Sequence, residues 1–118
     1  MSVTKFPVNN YENYHAHVYF EQDTLCFAAD LCQTAGDLFA LEIGRVHQKN
    51  VGPHPNWSCQ IKFSSNEFEQ FITWLENNRN GLSVLIHALT GDNLKDHTLH
   101  AYWLGDELPL TLAIFAAK

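Results

Sequence analysis

Residues 14–20 read YHAHVYF, and this stretch constrains the fold more than any other. Successive side chains of a strand point to opposite faces, so Tyr14, Ala16, Val18 and Phe20 share one side while His15, His17 and Tyr19 share the other. A strand with one wholly apolar face must lay that face on something. Two segments with helical periodicity can supply the cover. Leu25, Ala28, Cys32, Ala35 and Phe39 recur at spacings of three and four, which predicts a helix over about Leu25–Phe39 entered through Asp23 or Thr24. Ser64-x-x-Glu67 has the form of a capping box ahead of Phe68, Phe71, Ile72 and Leu75, and Asn80-Gly81 is a helix stop.

Three further strands fit between and after these helices. Leu41–His47 (LEIGRVH) is the second. Trp57–Phe63 (WSCQIKF) is the third, with Trp57, Cys59, Ile61 and Phe63 on one face. Leu82–Leu89 (LSVLIHAL) is the fourth, with Val84 and Ile86 opposed to Ser83, Leu85 and His87. Gln48–Asn56 contains Gly52-Pro53-His54-Pro55, and prolines lack the N–H that a ladder needs, so this segment is a loop. The order is strand, helix, strand, strand, helix, strand. It predicts one α+β domain over residues 1–118, ferredoxin-like, with an antiparallel βαββαβ sheet and both helices on one face. The first and fourth strands are neighbours in that topology, so His15, His17 and His87 meet on the open face. An apolar C-terminal extension, Leu108–Ala117, is expected to dock on the sheet or on a dimer partner.

Composition removes several function classes. Seven Lys and Arg against 13 Asp and Glu give a net charge of −6, which offers nothing to a nucleic-acid backbone or an anionic membrane. Residues 1–10 (MSVTKFPVNN) lack an apolar leader, and the three cysteines, Cys26, Cys32 and Cys59, form no C-x-x-C pair. The expectation is a cytoplasmic protein with reduced thiols packed as small hydrophobes.

The seven histidines carry the chemistry. Imidazoles opposed across two strands can reach a single ion, and neutral imidazole is the commonest protein ligand for zinc, iron and copper. His54, held in its Gly-Pro-His-Pro turn, could join them from the loop. Gly91–Gly105 adds Asp92, Asp96, His97 and His100, and a carboxylate beside two histidines would complete the facial triad of non-haem iron oxygenases. Asp96 is the first candidate for it. His47 and His100 read as surface residues, and Trp57, Trp74 and Trp103 as core or interface.

Four ordered segments, Tyr14–Phe20 (YHAHVYF), Val51–Pro55 (VGPHP), Leu82–His87 (LSVLIH) and Asp96–Gly105 (DHTLHAYWLG), resemble the DOPA 4,5-dioxygenase family. The resemblance runs from about residue 14 to 105. It implies extradiol cleavage of a catechol ring by O2 with Fe(II), on a ferredoxin-like fold assembled as a homodimer. Carried over by motif position, the family histidines are His17, His54, His87 and His97. His17, His87 and His54 are then the expected metal ligands, with Zn(II) able to take the iron's place in a purified sample. His97 and His54 are the expected catalytic groups, because a free imidazole titrates near neutrality and suits proton transfer. His15, Tyr19 and Asp96 complete the expected substrate pocket. Two other function classes use the same residues: a dimeric ferredoxin-like protein that holds a small ligand or metal without catalysis, and a zinc-dependent hydrolase.

Overall fold

The centre of the sheet is the alternating strand itself. In the computed structural model, which describes residues 6–115, β1 (Asn13–Phe20) runs antiparallel to β3 (Trp57–Ser64) on one side and β4 (Val84–Ala88) on the other. The first five residues and Ala116–Lys118, with the end of the expected apolar tail, lie outside the described residues. β2 (Glu42–His47) flanks β3, and a fifth strand, β5 (Ala101–Leu104), flanks β4, giving the order β2-β3-β1-β4-β5 among the described residues.

β5 departs from the four-strand expectation, and so does α3 (Asn93–Asp96), a single turn that precedes it. Ala101 and Trp103 fall on one face, Tyr102 and Leu104 on the other. Both faces are apolar, so the alternation that marks a half-wet strand has no polar contrast here.

The apolar faces of β1, β3 and β4 pack on α1 (Leu25–Phe39) and α2 (Phe68–Asn78) in one core that includes Tyr14, Val18, Ile61, Phe71, Leu75 and Ile86. Phe63 lies 4.8 Å from Phe71 and 5.3 Å from Tyr14 between ring centroids, contacts that fix the α2 end of this layer. Gly36 in α1 lets β2 approach closely. A Cβ at this position would meet Ile43 Cγ1 at 2.7 Å.

β2 shows a second departure. Ile43 pairs with Ile61 and Val46 with Cys59, so Gly44 and Arg45 together oppose Gln60 in a bulge. Three residues apart, Ile43 and Val46 would face opposite sides of a regular strand, but the bulge turns both toward the helices.

Neither Asp23 nor Thr24 caps α1 through its side chain, because a 3-10 turn at Gln22–Thr24 intervenes and the Thr24 hydroxyl accepts from the Glu21 N–H instead. At the start of α2, the Glu67 carboxylate reaches back to the Ser64 N–H at 2.9 Å, one half of the expected capping box. Beyond α3, Leu108 and Leu110 pack on the open face against Tyr19, Leu85, Ala101 and Trp103. No helix among the described residues is long and apolar enough to cross a membrane.

α1 ends at Ala40, whose φ of +55° is left-handed, a conformation that costs a Cβ-bearing residue about 1–2 kcal/mol. Glycine removes that cost and returns part of it as unfolded-chain entropy. Ala40→Gly is therefore expected to stabilise the protein by about 0.5–1 kcal/mol, seen as a higher denaturant midpoint at unchanged slope. A lower midpoint would show that the cap is unstrained.

Candidate metal centre and its histidine shell

The open face collects imidazoles because two strands deliver them at matched positions. His15 stands directly opposite His87 in the β1–β4 ladder, and His17 follows two residues along on the same face. One nitrogen from each of the three rings lies within 4.8 Å of the other two. His17 and His87 are closer still, with Nε2 atoms 3.0 Å apart and rings near parallel. Both are buried, His15 half so.

Hydrogen bonding fixes what each ring offers. The His87 Nδ1 lies 2.9 Å from the Ala88 carbonyl, which can only accept, so Nδ1 carries the proton and Nε2 presents a lone pair toward His17. This is the arrangement by which a carbonyl orients a metal-binding imidazole. Metal–nitrogen bonds of about 2.1 Å at a right angle place two nitrogens about 3.0 Å apart, so the pair fits adjacent ligands of one ion. The donor set of neutral imidazoles suits a divalent transition metal.

Two further histidines flank the pair. His54 lies 4.2 Å from His17 between centroids, and its Nδ1 is 2.7 Å from the Tyr19 hydroxyl. The turn that presents it is closed by the His54 N–H to the Val51 carbonyl at 3.0 Å, with Gly52 at a φ of +55°. The Thr111 N–H donates to the Pro53 carbonyl at 2.7 Å and ties this turn to the C-terminal segment. His97 lies 4.2 Å from His87 on the other side, its Nδ1–H donating to the Asn93 carbonyl at 2.7 Å and its ring against Phe115. A pocket of about 430 Å³ opens beside His97, walled by Ala101, Trp103, Leu108 and Leu110.

The expected site residues thus divide by position. His17, His87, His54 and His97 come together. His15, expected in the substrate pocket, stands with His17 and His87 in the one group of metal-capable side chains among the described residues. Tyr19 is buried behind His54. Asp96 is buried outside that group, with its two oxygens accepting from the Thr90 N–H at 2.9 Å and the Thr90 hydroxyl at 2.6 Å. The short α3 turn spends this carboxylate on its own loop.

His100, expected at the surface, is half-buried and bonds the Tyr11 hydroxyl at 2.8 Å, pinning the chain ahead of β1 to the approach to β5. His47 is half-buried at the end of β2, opposite Ser58. Trp103 is buried on the open face, near parallel to the Tyr19 ring. Trp57 and Trp74 join the aromatic packing of Phe20 and Phe39. Cys26, Cys32 and Cys59 form no disulfide, and the last two are buried.

Burial dominates the electrostatics. It holds His17 well below its ordinary value, with neighbouring imidazoles adding to the effect, and it lowers His54 to about 4 and His87 to about 3. His15 is lowered as well, by burial first and then by Lys62. The rings are therefore neutral at physiological pH, the state in which imidazole binds metal.

Residues 14–114 match the model of the Dopa 4,5-dioxygenase family. The chain is 33% identical over 116 residues to a DOPA 4,5-dioxygenase of Amanita muscaria, covering 91% of this chain and 51% of that protein. It is 34% identical over 113 residues to an uncharacterized 21.2 kDa protein of Botryotinia fuckeliana, covering 86% and 62%. The chain therefore spans about half to three-fifths of the length of these relatives. A crystal structure from Nostoc punctiforme, named as a proposed dioxygenase, superposes with a TM-score of 0.86 at 37% identity over 90% of this chain and 92% of that one.

Two measurements probe the shell. Unfolded histidines protonate near pH 6.5, whereas buried His54 and His87 resist protonation until about 4 and 3, so the unfolded state binds more protons in between. Stability is then full above about pH 6.5 and is lost as the pH falls through this window, by up to about 1.4 kcal/mol per pH unit per imidazole. Denaturant midpoints of the metal-free protein between pH 8 and pH 4 are expected to trace that decline, and His87→Gln to flatten it. Asp96→Ala strands the Thr90 donors and is expected to cost about 1–3 kcal/mol while metal stoichiometry, read by elemental analysis, stays unchanged.

Proposed function

This chain belongs to the Dopa 4,5-dioxygenase family, and from that membership and its histidine shell we propose that it is an Fe(II)-dependent extradiol dioxygenase acting on a catechol-type ring such as DOPA or a related compound. The observation that carries the proposal is the buried His17–His87 nitrogen pair, 3.0 Å apart, with His15 alongside. We read β1–β4 and the two long helices as a ferredoxin-like unit with β5 added at its edge.

The reaction adds both atoms of O2 to the substrate. One ring carbon–carbon bond beside the diol breaks, and an aldehyde and a carboxylate form at the new ends. Electrons balance between catechol and O2 alone, so no external reductant is required. His15, His17 and His87 would hold the metal, which when bound supplies Lewis-acid positions for the catechol oxygens and for O2. Zn(II) fits the same nitrogens but brings no redox chemistry.

The remaining residues bind, orient and move protons. The Ala88 carbonyl keeps the His87 Nε2 lone pair aimed at the site. His97, half-buried between His87 and the pocket, would take the proton of a catechol hydroxyl and return it to the opened product. Its bond to the Asn93 carbonyl leaves Nε2 free for that exchange. Trp103, Leu108 and Leu110 line the pocket and displace water from the ring. The proposal includes a cytoplasmic homodimer, and the exposed Leu94, Leu99 and Ile114 offer apolar surface for it. Sedimentation of a monomer at high concentration would remove the dimer.

Anaerobic reconstitution with Fe(II), followed by oxygen uptake with DOPA and a panel of substituted catechols, is expected to show one O2 consumed per ring opened and a yellow product. Zinc-loaded protein should consume none. His17→Ala and His87→Ala are expected to lose metal and to lower turnover by at least about a hundredfold. Iron demonstrably bound, with no uptake on any catechol, would exclude the dioxygenase reading.

A further inference from the structure

Five histidines crowd one patch of the sheet, and the hydrogen bonds of three of them separate two chemical kinds. His87 and His97 each place Nδ1 against a backbone carbonyl, at 2.9 and 2.7 Å, so each must carry its proton there and leave Nε2 bare. His54 is the opposite case. Its Nδ1 faces the Tyr19 hydroxyl at 2.7 Å, and a hydroxyl can give or take a proton bond.

Tyr19 decides which. It is 2% exposed, and His54 is the hydrogen-bond partner of its hydroxyl among the described residues. If the phenol accepted from Nδ1–H, its own proton would be stranded in the interior, which is the costly outcome for a buried donor. If the phenol donates, both groups are satisfied. The phenol is also held in place. Its ring lies near parallel to Trp103 with centroids 6.0 Å apart, and Leu108 and Leu110 pack on the same cluster.

We infer that Tyr19 is a positioning residue that locks His54 in the tautomer with Nε2 protonated, so that His54 serves as a neutral hydrogen-bond donor to a substrate oxygen and not as a metal ligand. Imidazole geometry turns Nε2 away from the phenol. The turn from Val51 to His54, with Pro53 and Pro55 on either side, holds the ring beside His17 at 4.2 Å between centroids. A neutral imidazole fixed as a donor can stabilise charge that develops on a phenolic or dioxygen-derived oxygen without transferring a proton itself. The same lock removes the Nε2 lone pair from the ligand set and leaves the three imidazoles of His15, His17 and His87 to hold the ion. The substrate oxygen in this inference rests on the dioxygenase reading, whereas the tautomer and the ligand count do not.

Protein labelled with 15N at histidine tests it directly. Long-range proton–nitrogen correlation spectra of the metal-free and zinc-loaded forms are expected to show His54 with Nε2–H and a bare Nδ1 in both. A protonated Nδ1, or loss of the Nε2 proton on zinc loading, would overturn the inference. In Tyr19→Phe the His54 pattern should become a mixture of tautomers while His87 and His97 keep theirs, and an unchanged His54 would show that Tyr19 does not set it. Zinc affinity measured against a competing chelator should change by less than about threefold in His54→Ala, and a loss of tenfold or more would return His54 to the ligand set.

Turnover on the iron form supplies the last arm. Tyr19→Phe is expected to lower kcat roughly tenfold at unchanged KM, and His54→Gln, which keeps an N–H donor, to retain more activity than His54→Ala. Equal activity of the two His54 variants would exclude the donor role. Absence of oxygen uptake by the parent protein would refute the dioxygenase reading and leave the spectroscopic and affinity results to decide the tautomer.

Discussion

The register of β1 against its two neighbours is the constraint on which everything else depends. Tyr14, Ala16, Val18 and Phe20 can enter the core only if His15, His17 and Tyr19 face away from it, and β3 and β4 hold that choice from both sides. A slip of one residue would bury the imidazoles among the helices and expose the core set. The hydrophobic driving force that folds the sheet is therefore also the force that assembles the site. No separate device is needed to bring His15 and His87 face to face, since they are ladder partners.

That coupling explains what could be read from the sequence. α1 runs from Leu25 to Phe39, where its three-and-four spacing places it, and β1 and β3 alternate as their side chains require. What could not be read had no amphipathic contrast or depended on three-dimensional partners. β5 is apolar on both faces because helices cover one and Leu108 and Leu110 the other. The β2 bulge places Ile43 and Val46 on one face against their sequence parity, and the run LEIGRVH carries no sign of it beyond its glycine. Asp96 was chemically plausible as a ligand, but its commitment to Thr90 is set by a one-turn helix that composition does not reveal. His15 and His54 both belong near the shell. His15 stands in the group with His17 and His87, whereas His54 is held from its loop against the Tyr19 hydroxyl.

The shell is also electrostatically unusual for so acidic a chain. The net charge is −6, yet the grouped metal-capable side chains are imidazoles without a carboxylate among the described residues. Burial keeps these rings neutral, and a divalent cation among neutral ligands retains its charge for an incoming anion. On the proposed reading, a deprotonated diol meets that requirement. A carboxylate-rich shell would compete with it for the same charge.

The 2.7 Å bond from the Thr111 N–H to the Pro53 carbonyl joins two regions that sequence places far apart. The segment bearing Leu108 and Leu110 forms one wall of the cavity beside His97, and the Val51–His54 turn presents an imidazole beside His17. That bond gives the cavity wall and the His54 turn a common anchor, so a change that displaces the backbone of one is passed to the other.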